Sequence, residues 1–460
     1  LYYQCTSHGS MGGIFYITGA LADGGVTTAK LADDAVTDAK LANSINAAIA
    51  ANTAKDLTAL SASNLTSGTV PDARFPATLP TVSGANLTSL PAANLTGTLP
   101  AISGANLTNL PPSGKATNFI INGEMKVSQR GGYFPNVGNN NTTIDRFALT
   151  HPYGDYFDVT QSTTAPDGFC KSYKLDINSA DTSIGSGQFV AIRHRIEAQN
   201  LQELAYGTSS AKSITLSFYV RSNLTGTYAV NIQQSDNSKK QVSATYTINS
   251  ADTWERKTFT FAGDTSGVIA NDTGTGFEIL WWLAAGSNRN SGTARSTWTT
   301  YADADQAAGH TANILSGTSN NFYITGVQLE PSDSVSDFAH ESYAETLQKC
   351  LRYYELIVEG NTKTIGTGFA YASNEVNIGV KTHVPMRASP SLEQNSGADY
   401  FFLGGGGDSN ARIDGNWLIY APTDNLLLLY ASPDASITAG VGKYIRTDNA
   451  NARLALSAEL

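Results

Sequence analysis

Charge is scarce in this chain: only 15% of its 460 residues are Asp, Glu, Lys or Arg. The basic residues gather nowhere and the net charge is −10, which argues against a nucleic-acid surface, since that needs clustered Lys and Arg. Cysteine is scarcer still. Cys5, Cys170 and Cys350 are odd in number and far apart, a pattern that supports neither a disulfide framework nor a zinc site. No apolar run approaches the ~20 residues of a membrane-spanning helix, so no membrane insertion is expected. Signatures of catalysis are missing as well. No Ser-His-Asp, zinc or phosphate-loop spacing can be assembled, and Gly404–Gly407 lacks the following Lys-Ser/Thr, which makes it a turn.

Aromatic residues all but vanish over a long stretch: between Thr18 and Thr117 there is only Phe75. A single chain with so little bulky apolar surface cannot offset the roughly 1–2 kcal/mol per residue of backbone ordering entropy. What this stretch has instead is repetition. LADGGVTTAK (Leu21–Lys30) returns in phase as LADDAVTDAK (Leu31–Lys40), and a third copy starts at Leu41. VSGANLTSLP (Val82–Pro91) returns as ISGANLTNLP (Ile102–Pro111), with the partial copy AANLTGTLP (Ala92–Pro100) between them. Matching Leu and Val positions favour a thin shaft in which identical chains pool small side chains over a linker, which needs composition alone. Within it, Leu41, Ile45, Ala48 and Asn52 fall at 4-3-4 spacing. That spacing is either the seam of a short coiled coil or one face of a loosely packed Ala-rich helix. The Asn-Leu-Thr triplets at Asn64, Asn86, Asn94 and Asn106 fit N-glycosylation, but their phase with the repeat suits structural turns better.

From Phe119 the pattern changes to short strands with period-two alternation. Ile214, Leu216, Phe218 and Val220 make one such face; Val242, Ala244, Tyr246 and Ile248 another; Val190, Ile192 and Ile196 a third. Phe277, Ile279, Trp281 and Leu283 alternate with Glu278, Leu280 and Trp282, so the two tryptophans must face opposite ways. Polar turns separate these runs, and Phe322–Leu329 is the last. One helix interrupts them. Ser342 and Glu345 form a capping box, and Tyr343, Leu347, Cys350, Leu351 and Tyr354 share its apolar face, with Cys350 a buried hydrophobe. A second β-rich block follows Gly360.

Several segments resemble phage tail-fibre proteins. The LADGGVTTAK decads look like shaft repeats of such fibres. NFIINGEMKVSQRG (Asn118–Gly131) is similar to the opening strand of their jelly-roll module, and YITGVQLEPSDSVSDFAHESYAETLQKCLRYYE (Tyr323–Glu355) to its exit strand and helix. VPMRASPSL (Val384–Leu392) and ARLALSAEL (Ala452–Leu460) are similar to the end domain that often follows. The expected fold is therefore mostly β: an N-terminal cap or attachment segment (1–20), a fibrous shaft with a short helix (21–117), a jelly-roll β-sandwich ending in a helix (118–359) and a second C-terminal β-sandwich (360–460). The resemblance implies a homotrimer in the virion, attached through its N-terminus to a tail, baseplate or adaptor protein. Through the sandwich domains it would bind a host surface glycan. It supplies no catalytic residue and no cofactor.

A pyranose has an apolar C–H face and a ring of hydroxyls, so its site needs an aromatic platform beside amides and carboxylates. Two stretches offer that. HPYGDYFD (His151–Asp158) brings Tyr153 and Tyr156 beside Asp155 and Asp158, and STWTTYADAD (Ser296–Asp305) brings Trp298 and Tyr301. Each set of aromatics could equally be core or trimer packing. Asp145, Asp155, Asp158, Glu255 and Glu278 contain the makings of a hydrolytic carboxylate pair, although solvated surface acids explain them better. The Asp264 and Asp272 turns suit a structural Ca²⁺ only weakly, because they lack dense alternating oxygen ligands. A non-enzymatic receptor-binding fibre is the expected function. The alternatives are a polysaccharide depolymerase, disfavoured because Phe119–Glu359 lacks the regular coils of a β-helix, and a purely structural fibre.

Overall fold

The computed structural model describes residues 2–4, 6–10, 12–14, 43–53 and 117–460, apart from 237–238, 396, 407–410, 421 and 424. The decads and the Asn-Leu-Thr repeats lie outside the described residues. Chain contacts divide into two units, Leu1–Gly104 and Ala105–Leu460. In the first, Tyr2–Gln4 and Gly12–Ile14 form an antiparallel hairpin, and Asn43–Thr53 is an α-helix with no buried residue. Its large apolar side chains stand in solvent: Ile45 is 49% and Ile49 51% exposed.

The second unit holds two β-sandwiches in succession. In the first, a seven-stranded antiparallel sheet runs, in spatial order, Thr299–Thr300, Lys240–Ile248, Gly226–Gln234, Thr275–Ala285, Phe189–Glu197, Phe147–Thr150 and Asn141–Thr142. Facing it is a six-stranded sheet of Glu255–Phe261, Ile214–Ser222, Asn321–Glu330, Ser172–Ile177, Phe157–Ser162 and Tyr133–Phe134. The chain passes repeatedly from one sheet to the other, as in a jelly roll. The alternating apolar residues meet between the sheets: Ile214, Leu216, Phe218 and Val220 from one, Phe277, Ile279, Trp281 and Leu283 from the other. Trp282 and Leu280 point to the opposite face, where they pack with Ala191, Ala229 and Ala307. Strand alternation thus separates the two adjacent tryptophans into different clusters.

The segment Asn118–Gly131 is not the opening strand that its resemblance implied. Its turns close on themselves, with Met125 N–H donating to Asn122 O at 2.8 Å and Asn122 and Met125 both at positive φ. The neighbouring strand is also bulged between Thr325 and Gln328, where it pairs with Ile214–Ser222. The segment is fastened by single bonds instead, such as Leu329 N–H to Asn118 Oδ1 at 3.0 Å. The first strand is Tyr133–Phe134.

The helix is Tyr343–Leu351, and Ser342 and Glu345 cap it reciprocally. Cys350 is buried in its inner face, where burial pushes the thiol pKa well up. Tyr343 departs from the expected stripe and is exposed. One turn separates it from Thr346 and two from Cys350, the helix residues that do reach the core, and Tyr343, at the first position of the helix, lies beyond that contact.

The helix leads into the second sandwich. A three-stranded sheet, centred on Arg453–Ser457 between Tyr354–Glu359 and Ser391–Asn395, packs on a seven-stranded sheet from Thr364 to Thr447. Val376, Ile378, Phe401, Leu403, Trp417, Leu429, Leu454 and Leu456 fill the space between. The two sandwiches are tied by buried polar groups. Fully buried Glu197 receives Arg352 at 2.6 and 2.9 Å and the Tyr353 hydroxyl at 2.9 Å. Arg130 and Arg146 each lie 3.5 Å over the rings of Tyr354 and Tyr353 respectively.

Candidate glycan-binding cleft

The outer face of the seven-stranded sheet in the first sandwich is a grid built by register. One row aligns Ala191, Trp282 and Ala229; the next Arg193, Leu280, Asn231 and Ser243; the third Arg195, Glu278, Gln233 and Gln241. The chain from Gly286 to Ala312 folds back over part of this face. It is pinned there by Ser243 N–H to Arg295 O at 2.7 Å and by Gln241 Nε2 to Ala302 O at 2.9 Å, and Asp305 braces it internally by accepting from Thr293 N–H at 2.7 Å and Arg295 Nε at 2.8 Å.

Between this flap and the strands is a cleft of about 130 Å³. Trp282 and Leu280 form its floor, with Trp282 only 1% exposed. The indole N–H of Trp282 has no hydrogen-bond partner among the described residues. Phe189 stands beside it, ring centroids 5.6 Å apart, with the Arg289 guanidinium 5.3 Å above the Phe189 ring. Gln233, Arg193 and Glu278 supply the polar wall. Glu278 is clamped by Arg195 Nε at 3.1 Å and Arg193 Nε at 3.6 Å. Burial, and then the neighbouring Arg195 charge, lower the Arg193 pKa to about 10, so Arg193 remains a cationic donor at neutral pH.

Tyr301 forms the rim, with the Lys239 ammonium 3.8 Å from its ring centroid. Its hydroxyl donates to Asp303, which also accepts from Gln306 Nε2 at 2.9 Å and pairs with Arg289. Burial, with the bond to Asp303, pushes the phenol up to about 12. Lys239 is held below its ordinary value by burial. The ring is therefore fixed in place by a charged network, which preorganises it for stacking.

Of the six residues expected from sequence to contact glycan, Tyr301 lines this cleft and the others do not; Glu278, weighed as a hydrolytic carboxylate, also lines it. Trp298 is half-buried and stacked on core Phe277 at 5.5 Å and 21°, edge-on to Tyr206, with its Nε1–H on Ala262 O at 2.9 Å. Tyr153 and Tyr156 pack on each other at 5.0 Å and against the core, and the Tyr153 hydroxyl donates to Asp181 at 3.2 Å. Asp158 accepts from Tyr133, the Asn136 N–H and Asn178; Asp155 is exposed. Asp264 and Asp272 hold their own turns, accepting from Ser266 N–H at 3.0 Å and Gly274 N–H at 2.8 Å. Phe189, Arg193 and Gln233 were not singled out. Phe189 and Arg193 share one strand and Gln233 sits on another, and only the cross-strand register through Thr275–Ala285 brings them together with Trp282.

No family model matches the chain, and no curated protein matches it. Solved structures that resemble it include the enzymatically active domain of bacteriophage CBA120 tailspike protein 4, with 13% identity over 46% of this chain and 21% of that one, TM-score 0.25. Another is a family 11 carbohydrate-binding module from Clostridium thermocellum in complex with a β-1,3-1,4-mixed-linked tetrasaccharide, with 8% identity over 44% of this chain and 98% of that one, TM-score 0.23. A third is TmCBM61 in complex with β-1,4-galactotriose, with 8% identity over 47% and 100% of the two chains, TM-score 0.25. These likenesses are too remote to bear on function, so the case rests on the cleft itself.

Proposed function

We propose that the chain is a non-catalytic glycan-binding fibre that attaches a virion to its host. The observation that carries the binding is the cleft on the sheet face. A Trp and Leu floor and the Phe189 and Tyr301 rings suit the C–H face of a sugar, and Gln233 and Arg193 beside them suit its hydroxyls. Binding rather than cleavage fits the carboxylates. Glu278 is the one carboxylate among the lining residues and two arginines hold it, whereas glycoside hydrolysis uses a pair.

The fibre setting rests on the in-phase repeats of 21–112 and on the exposed Ile45 and Ile49 of the first helix. A helix with two solvent-exposed isoleucines one turn apart gains by packing them against copies of itself. In this reading three chains form the shaft, the N-terminal segment docks on a tail, baseplate or adaptor protein, and the sandwiches face the cell. The test is an array of bacterial capsular and lipopolysaccharide glycans probed with the full chain. Binding to a defined glycan, with no new reducing ends released on prolonged incubation, is expected; released ends would replace this reading with a depolymerase, and an empty array with a purely structural fibre.

A further inference from the structure

The face cleft is small beside the ~300–1,000 Å³ of a typical ligand pocket and has room for only part of a short glycan. A larger groove of about 560 Å³ lies along the seam between the two sandwiches, with walls from both. We propose that this groove is a second glycan subsite adjoining the face cleft, so that the ligand is an extended polysaccharide segment rather than a single terminal sugar. The proposal rests on the glycan-binding reading and specifies its ligand.

Three observations carry it. The first is the aromatic wall. Tyr133 is 59% exposed, yet its hydroxyl is anchored on Asp158 at 2.5 Å. An exposed ring whose rotamer is already fixed loses little entropy when a sugar stacks on it. The second is the polar wall. Asn141 is exposed, and its side-chain amide makes no hydrogen bond among the described residues. Opposite it, Glu393 and Glu459 of the second sandwich each contact a different nitrogen of Arg130 at 3.4 Å. Arg130 is itself stacked 3.5 Å over Tyr354, and Glu459 is also paired with Arg146, so both carboxylates are held in place, while Glu393, 45% exposed, keeps lone pairs available to sugar hydroxyls. With Arg130 and Arg146 against the two glutamates the wall is nearly neutral, which suits a hydroxyl-rich ligand better than a strongly charged one.

The third observation is continuity. Asn140, in the left-handed conformation at φ 62°, lines the groove. Its side-chain oxygen accepts from Arg193 Nη1 at 2.7 Å, and Arg193 lines the face cleft. The walls of the two sites are therefore one hydrogen bond apart. A chain gripped at both is held by the edge of one sheet and by the second sandwich together, and its second contact is made at a high effective concentration.

The test uses the full chain and bacterial surface polysaccharides hydrolysed to fragments graded from disaccharide to octasaccharide. The wild type should bind the longest fragments about tenfold or more tighter than the shortest. Asn141→Ala combined with Glu393→Gln should abolish that length dependence while short-fragment affinity and melting temperature stay as in the wild type. Length-independent binding by the wild type, or a length gain that survives the double substitution, would overturn the seam subsite and leave the face cleft standing. A wild type that binds no fragment of any length would overturn both.

Discussion

Replacing Trp298 by Ala separates packing from ligand contact at the flap. Its indole stacks on Phe277, meets Tyr206 edge-on and donates to Ala262 O. A fully buried Trp→Ala change costs about 3–5 kcal/mol. Trp298 is only half-buried, which lowers the packing loss, but the lost hydrogen bond leaves a carbonyl to find water, at about 1 kcal/mol. The expected cost is about 3 kcal/mol. For a domain of roughly 150–250 residues each kcal/mol moves the midpoint by about 2–4 °C, so a fall of about 6–12 °C is expected. Thermal unfolding followed by near-ultraviolet circular dichroism reads it, and a glycan titration of the folded variant should stay within about twofold of the wild type. An unchanged melting temperature with lost glycan binding would refute this reasoning and make the indole an exposed platform.

Glu197→Ala should destabilise the junction of the sandwiches by about 3 kcal/mol, the low end for a broken buried pair because Arg352 keeps 28% of its side chain in water; chemical denaturation measures it, and a loss below about 1 kcal/mol would contradict it. Burial pushes the Glu255 carboxyl up, but Lys257, the Ser250 and Asn249 N–H groups and the Asn249 amide together bring it down from 4.5 to about 2. A depressed folded value gives stability that is full above the unfolded value and lost as pH falls through the folded one. Stability should therefore decline between pH 4.5 and about 2, and Glu255→Gln should flatten that part of the profile. Native mass spectrometry of the full chain at micromolar concentration should give three times the chain mass, and a monomeric mass would contradict the trimeric shaft.

Much of the fold was legible because strand alternation is local. Ile214 to Val220 and Phe277 to Leu283 announce a buried face within a few residues, and the opposed orientation of Trp281 and Trp282 follows from the pleat alone. The capping box at Ser342 was legible for the same reason. The cleft was not, because it is made by non-local register: nothing in the order of the chain says that Gln233 stands beside Glu278, or Arg193 beside Leu280. Aromatic density in a loop was a poor guide. Trp298 and Tyr301 lie three residues apart, yet one packs on the core while the other rims the cleft. The turns that keep Asn118–Gly131 from forming a strand take Asn122 and Met125 to positive φ, which no periodicity reveals.

The central claim is that the sheet-face cleft recognises glycan, and the most direct measurement is calorimetric titration of the best array glycan into the wild type and two variants, Tyr301→Ala and Gln233→Ala. Both should weaken binding about tenfold or more, at about 1.4 kcal/mol per factor of ten; Tyr301→Ala should leave the melting temperature little changed, whereas Gln233→Ala, which removes a buried hydrogen bond to Asn231, should lower it without unfolding the protein. Wild-type affinity in both folded variants would contradict the assignment of the cleft.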